Sequence, residues 1–351
     1  MNKISSKHKK FLNIILEKGE AKSSDIHADL VKTGEDLSLV TVKRMLSEMV
    51  ATGLLAVNGS GPATAYTVST TGRINADIDA KKYCATEPDK RFGLSTYNFD
   101  LFSVLSFNLF SDEEMKIMDG ATAIYRERVK DVPEAIQKKE LERLIIELSW
   151  KSSKIEGNTY TLLDTEMLLL ENKEAPGHST SEARMILNHK NAFKFIHDNK
   201  TEFKTITLAN LEKLHTILVQ DLSIGFGLRN KLVGVVGSKY RPLDNGQQIK
   251  EAVESLIAAV RKAGAPEAKA LIALTGISYV QPFEDGNKRT SRLMANALLL
   301  AHDRAPLSYR SVDEDGYREA MLVFYEINSV IPIKNIFVDQ YEFAAKNYAV
   351  R

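Results

Sequence analysis

The chain has 351 residues, 44% hydrophobic and 26% charged, with a formal net charge of +1 at pH 7. This length allows two or three domains with a sizeable core in at least one. The near-zero charge excludes a global field drawing the chain to nucleic acid or membrane, so any such contact must be local. The single cysteine, Cys84, excludes an intramolecular disulfide and suits a reducing compartment. No stretch approaches the roughly 20 apolar residues of a membrane span. The apolar run at residues 11–16 is too short for a signal sequence and is followed at once by Glu17-Lys18-Gly19-Glu20. The expectation is a soluble cytoplasmic protein with no membrane contact.

Leu12, Ile15 and Leu16 predict a short amphipathic helix ending near Gly19, and a second over residues 24–32 stops at Gly34. A third starts after Ser38, carries Val42, Met45, Leu46 and Met49 at helical spacing, and ends at Gly53. Residues 54–57, a Gly59-Ser60-Gly61-Pro62 turn and residues 65–69 predict a β-hairpin. Three helices and a hairpin resemble the winged helix-turn-helix of transcription regulators. That resemblance implies that Thr41, Lys43 and Arg44 lie on the exposed face of a recognition helix, within reach of duplex DNA. A protein-interaction or dimerisation module is the alternative, because the basic excess here is mild. Residues 73–92, polar and weakly patterned, are expected to be a linker after a domain at 1–72.

A helical body follows, with helices expected over 112–129 and 133–150, the latter carrying Leu141, Leu144, Ile145 and Leu148 as an apolar stripe. It runs into Ser152-Ser153-Lys154-Ile155-Glu156-Gly157-Asn158, which taken alone is a helix ending on glycine. Further helices are expected over 165–171, 182–197 and 208–220. His189, His197 and His215 fall in these helices without metal-ligand spacing, as core or surface histidines. β-Branched residues between glycines at 232–240 predict a short hairpin. Ala-rich helices over 249–262 and 267–280 lead into the most informative stretch. After it, Ser311-Val312-Asp313-Glu314 predicts a capping box for a helix to about 328, and a last helix covers 336–348.

That stretch is Gln281-Pro282-Phe283-Glu284-Asp285-Gly286-Asn287-Lys288-Arg289-Thr290-Ser291-Arg292, a turn running into a helix from about 288 to 301. Gly286 and Asn287 suit a tight turn and a helix start with free backbone N–H groups, which is a ready anion site. Arg289 and Arg292, three apart, converge on one face, and Asp285 adds a carboxylate suited to Mg²⁺ beside phosphate. The residues themselves therefore describe a Mg²⁺–polyphosphate cradle.

This stretch resembles the motif of the Fic (Fido) family, His-Pro-Phe-x-[Asp/Glu]-Gly-Asn-Gly-Arg-x-x-Arg. Pro282, Phe283, Asp285, Gly286, Asn287, Arg289 and Arg292 match in order, while Gln281 stands at the catalytic His and Lys288 at the second Gly. The resemblance implies a mainly α fold: an all-helical Fic core with a short β-hairpin flap, joined to a small winged-helix α+β domain. It places an inhibitory-helix segment at 93–158 and the core with its C-terminal helices at 159–351. It implies ATP with Mg²⁺ at Asp285, phosphate contacts from Gly286, Asn287, Lys288, Arg289 and Arg292, and transfer of AMP to a protein hydroxyl. The target would dock on flap residues Val233, Val235, Val236 and Tyr240 by strand addition.

Ser152, Glu156 and Gly157 resemble the family's inhibitory motif, [Ser/Thr]-x-x-x-Glu-[Gly/Asn], which implies that Glu156 pairs with Arg292. A carboxylate bound bidentately to that guanidinium competes with the γ-phosphate. Gln281 can orient a hydroxyl but cannot accept its proton near neutral pH. The departures leave two main readings: a held-off nucleotidyltransferase weakened or silenced at Gln281, and a DNA-binding regulator whose degenerate Fic body senses nucleotide. The Asn-Lys-Arg triplet resembles Doc toxins, which transfer phosphate, and a purely structural interaction protein is the remaining alternative. The target protein and the DNA sequence are not specified, and homo-oligomerisation is left open.

Overall fold

The computed structural model describes residues 4–105 and 109–350. The chain divides into two compact units, one formed by residues 1–105, 234–241 and 319–334, the other by 106–233, 242–318 and 335–351.

The first unit opens with helices α1 (Ser6–Lys18), α2 (Ser23–Lys32) and α3 (Leu39–Ala51). Ser5 and Ser38 cap α1 and α3 by accepting a backbone N–H from the first turn. Strands β1 (Leu55–Asn58) and β2 (Ala65–Val68) then pair antiparallel, with Leu55 opposite Val68 and Asn58 opposite Ala65. Phe11, Leu12, Ile15, Ile26, Leu30, Val42, Leu46, Met49, Leu55 and Val68 form one buried cluster, so the helical and strand periodicities point at the same core. This is the winged-helix arrangement.

The stretch expected to be a linker is folded. It contains α4 (Thr70–Ile74) and α5 (Ala80–Cys84), and Ile74, Ala76, Ile78 and Tyr83 are buried. Ile74, Ala76 and Ile78 alternate with polar residues, the period of a strand, but they fall at a helix end and in coil, so the pattern does not reveal the element they belong to, and Tyr83 stands alone. A polar knot fixes the end of this stretch. The fully buried Glu326 carboxylate accepts from Tyr83 Oη at 2.7 Å, from Ser238 Oγ at 2.7 Å and from Arg91 Nη1 at 3.3 Å. Arg91 also donates to Gly237 O at 2.9 Å. The unit is completed by α6 (Leu101–Leu105).

The second unit is helical: α7 (Asp112–Val129), α8 (Glu134–Ile155), α9 (Leu162–Glu171), α10 (Thr180–Asp198), α11 (Leu208–Leu218), α12 (Gly246–Lys262), α13 (Pro266–Val280) and α14 (Asn287–Ala301). Helices α15 (Glu314–Ile327) and α16 (Ile331–Asn347) each have residues in both units. Helix α15 is capped by Asp313, whose Oδ2 accepts from Gly316 N at 2.9 Å. Ser311, the expected cap, instead accepts from Gln340 Nε2. Helices α13 and α14 carry unbroken buried runs, Ala270–Val280 and Thr290–Ala301, so they form the centre of the unit.

The expected hairpin at 232–240 is not formed. Among the described residues the only sheet is β1–β2, and 232–240 is irregular chain with a turn at Val236-Gly237. No helix among them is long and apolar enough to cross a membrane.

Replacing Glu326 with Ala strands the buried Arg91 charge, and removal of one partner from a buried pair costs about 3–5 kcal/mol. Denaturant unfolding of the Glu326→Ala chain should lose stability of that order; a loss below about 1 kcal/mol would show that the knot is solvated.

A candidate phosphate-binding site

Helix α13 ends at Val280, and Gln281 turns the chain with φ 50 in the left-handed region. The loop to α14 is built around Asn287. Its Oδ1 accepts from Phe283 N at 2.9 Å, and its Nδ2 donates to Phe283 O at 2.8 Å and to Gln281 Oε1 at 3.0 Å. Gly286, at φ 78, precedes the helix, and a Cβ there would meet Val219 Cγ1 at 3.2 Å. Glycine is thus favoured by conformation, and a side chain here would also press on Val219.

Two residues outside the motif hold this loop. Arg229, almost fully buried, donates from Nε to Gln281 O at 2.6 Å, and its backbone N–H donates to Pro282 O at 2.9 Å. His215 on α11 stacks on Phe283 with ring centroids 3.8 Å apart, and its Nε2 donates to Asp285 O at 3.0 Å. Burial, reinforced by nearby Arg289 and opposed by the Asp285 carbonyl, pushes His215 down to about 4. It is therefore a neutral donor at neutral pH. Neither residue belongs to a contiguous motif, and only their distance in space from the loop reveals them.

No side chain caps the start of α14, so its first-turn N–H groups are open to an anion. Arg289 is 2% exposed. Its Nη2 lies 3.3 Å from Asp285 Oδ2, while Nη1 is buried without a partner. Arg292 is fully buried; Nε donates to Ser152 Oγ and Nη2 to Ser152 O, both at 2.9 Å, and Nη1 again has no partner. A buried guanidinium with an unused donor is costly, and a phosphate oxygen satisfies both its charge and its hydrogen bond.

Helix α8 extends to Ile155, and Glu156 forms its C-cap, followed by Gly157 at φ 94. Glu156 Oε1 lies 2.9 Å from Arg292 Nη2 and Oε2 lies 3.5 Å from Lys288 Nζ. The contact with Arg292 is single, not the bidentate fork expected, because Ser152 already takes the arginine's Nε and shares Nη2. Burial alone would raise the Glu156 carboxyl; the Arg292 and Lys288 charges overcome it and hold the group below its ordinary value. The pair is thus intact at neutral pH and is lost only as pH falls through that lowered value.

Gln281 is 7% exposed, and both ends of its carboxamide are occupied. Nε2 donates to Ser278 O at 2.6 Å and Oε1 accepts from Asn287. Asp285 is the exposed carboxylate at the rim, its side chain 66% exposed. No group of three or more His, Cys, Asp or Glu able to hold a metal exists among the described residues. One carboxylate beside a polyphosphate fits Mg²⁺, which keeps waters and takes few protein ligands.

The other expected positions divide. Val235 and Tyr240 are buried, Tyr240 stacking on Tyr325, so they do not offer a docking edge; Val236 is 95% exposed and Val233 half-buried. In the winged helix, Lys43 and Arg44 are exposed, whereas Thr41 is committed to the start of α3, its Oγ1 3.0 Å from Ser38 Oγ. His189 is fully buried beside Ser149 Oγ, and burial first, then Arg292 and Arg289, push it well down.

His215 and His189 are neutral when folded but bind protons below about 6.5 when unfolded. Stability should therefore be full above about pH 6.5 and fall as pH drops towards 4. His215→Gln keeps a donor for Asp285 O and does not titrate, so thermal unfolding across this window should show a shallower decline. An unchanged slope would mean that His215 is protonated in the fold.

Residues 205–299 match the Fic/DOC family and residues 4–77 match the penicillinase repressor family. The chain is 26% identical over 174 residues to a protein adenylyltransferase Fic of Nematostella vectensis, covering 48% of this chain and 41% of that protein. It is 30% identical over 158 residues to that of Drosophila virilis, covering 44% and 32%. The chain therefore spans well under half the length of these curated relatives. Among solved structures, Fic-1 of C. elegans (residues 134–508) superposes with a TM-score of 0.58 at 18% identity, over 67% of this chain and 72% of that one. A Fic domain containing signaling protein from Bacteroides thetaiotaomicron gives 0.55 at 18%, over 65% and 94%. These likenesses are of fold.

Proposed function

We propose that this chain, which carries a Fic/DOC family domain at 205–299 behind a winged helix, binds ATP as protein adenylyltransferases do. In this reading Glu156 holds its phosphate cradle off, and Gln281 impairs its transfer step. The observation that carries the reading is the pair of buried arginines, each with an Nη1 lacking a partner, at the uncapped start of α14.

Arg289, Arg292 and the backbone N–H groups at 287–289 would take the phosphates. Asp285 would hold Mg²⁺, which when bound neutralises phosphate charge. His215 and Arg229 keep the loop in shape and have no part in proton transfer. Glu156 lies against Arg292 as an ion pair where a terminal phosphate would sit, and the two anions exclude one another.

The acceptor hydroxyl of a target must lose its proton as it attacks. Gln281 cannot take it, and its carboxamide is already committed to Ser278 O and Asn287. Loss of a placed general base costs on the order of 10² to 10⁴-fold. Electrostatic stabilisation by the arginines does not depend on that base.

Position 281 has φ 50, a region that histidine tolerates better than most residues. With α-labelled ATP, Gln281→His combined with Glu156→Gly should raise self-modification over Glu156→Gly alone by the order of 10² or more. A silent double variant that still binds ATP would remove transferase chemistry from the reading and leave nucleotide sensing. Robust labelling by the unsubstituted chain would show that Gln281 is no barrier.

The winged helix supports a second role, duplex DNA binding. Lys43 and Arg44 are exposed on α3, and Leu39 and Val40 beside them are 37% and 78% exposed. Exposed aliphatic groups at the start of a recognition helix suit contact with thymine methyls, and the two cations suit phosphates. Gel-shift of genomic fragments should show binding that weakens steeply with salt. Lys43→Ala with Arg44→Ala should reduce it and flatten the salt slope; no shift at low salt would leave the domain a protein-interaction module.

A further inference from the structure

Lys288 and Arg292 lie four residues apart on α14, so their charges share one helix face and repel unless an anion lies between them. Glu156 is that anion. Its Oε1 is 2.9 Å from Arg292 Nη2 and its Oε2 is 3.5 Å from Lys288 Nζ. The two oxygens of one carboxylate are thus divided between two cations of the same helix. Arg292 is fixed, fully buried and held by Ser152. Lys288 is different: its side chain is 35% exposed and no other ion pair is formed by it among the described residues. A flexible four-carbon stem lets its ammonium follow whichever anion occupies the site.

We propose that Lys288 is a two-way clamp: it holds Glu156 in place while the cradle is empty, and transfers to a phosphate of the incoming nucleoside triphosphate when Glu156 leaves. This rests on the nucleotide-binding reading above and names a regulation of that site. The resembled motif has glycine at this position, which can do neither. Any anion that displaces Glu156 from Arg292 strips Lys288 of its partner as well. Lys288 therefore gives back, in the locked chain, part of what its phosphate contact gains, and gives its full gain in the unlocked one. Its contribution to affinity is smaller with Glu156 present than with Glu156 removed, by the worth of the broken pair, which a simple phosphate ligand would not show.

The test is a double-substitution cycle at Lys288 and Glu156, read by calorimetric titration of ATP with Mg²⁺ into the full chain. Lys288→Met, which keeps most of the stem, should lower ATP affinity only about two- to fivefold when Glu156 is present, because losing the phosphate contact is partly offset by no longer having to break a partly exposed ion pair. In the Glu156→Gly background the same change should lower affinity by roughly tenfold, the range of a charge-assisted hydrogen bond. Lys288→Arg in that background should retain tight binding. A loss of equal size in both backgrounds would make Lys288 an ordinary phosphate ligand and overturn the clamp, as would no effect in either. If Glu156→Gly does not itself tighten ATP, the inhibitory reading of Glu156 fails and the clamp falls with it. If Glu156→Gly tightens ATP but Lys288→Met costs the same in both backgrounds, only the clamp falls.

Discussion

Two guanidinium groups buried at one helix N-terminus impose the constraint on which the second unit depends. Taking such charges out of water costs several kcal/mol each unless counter-charges and hydrogen bonds replace the lost hydration. Arg289 has Asp285 at the rim, and Arg292 has Ser152 and Glu156, yet each retains an unused buried donor. The helix start adds uncapped N–H groups of the same polarity. An anion with several oxygens, such as the nucleoside triphosphate proposed above, would meet each of these groups. Their cost is sustained by an apolar frame of α13 and α14, whose facing surfaces are continuous buried runs.

Glu156 is the anion that the structure places beside Arg292 and Lys288. It reaches the site because α8 continues five residues beyond Trp150, bringing Ser152 and Glu156 to Arg292 across 140 residues of sequence between Ser152 and the arginine. Ser152 orients the guanidinium through two hydrogen bonds, and Glu156 then needs only one oxygen to neutralise it. Its second oxygen is free to engage Lys288. A single contact is easier to displace than a bidentate fork, which suits the lock proposed above.

The motif loop at 281–292 was legible in the sequence because its chemistry is contiguous. A turn residue, a glycine and arginines at helical spacing can be read without a fold. Helix periods and the wing hairpin were legible for the same reason: a single buried face imposes a regular pattern. Arg229 and His215 were not legible, since each acts on the motif loop from a distant helix or coil, and neither lies in a recognisable spacing. The folded stretch around Ile74, Ile78 and Tyr83 was missed because its burial depends on single side chains and on the Glu326 knot. The hairpin at 232–240 was misread because β-branched residues favour extended chain but cannot alone supply a pairing strand. Tyr240 and Val235 instead fill buried positions.

The unused donors of the arginines can be tested directly by calorimetric titration of ATP with Mg²⁺ into the Arg289→Ala chain. Arg289 is buried with one Nη1 lacking a partner and with a single contact to an exposed carboxylate. Its removal should therefore leave the fold intact while weakening ATP by roughly 10- to 100-fold, the worth of a charged hydrogen bond. Affinity unchanged from that of the unsubstituted chain would contradict the assignment of this helix start as a phosphate cradle.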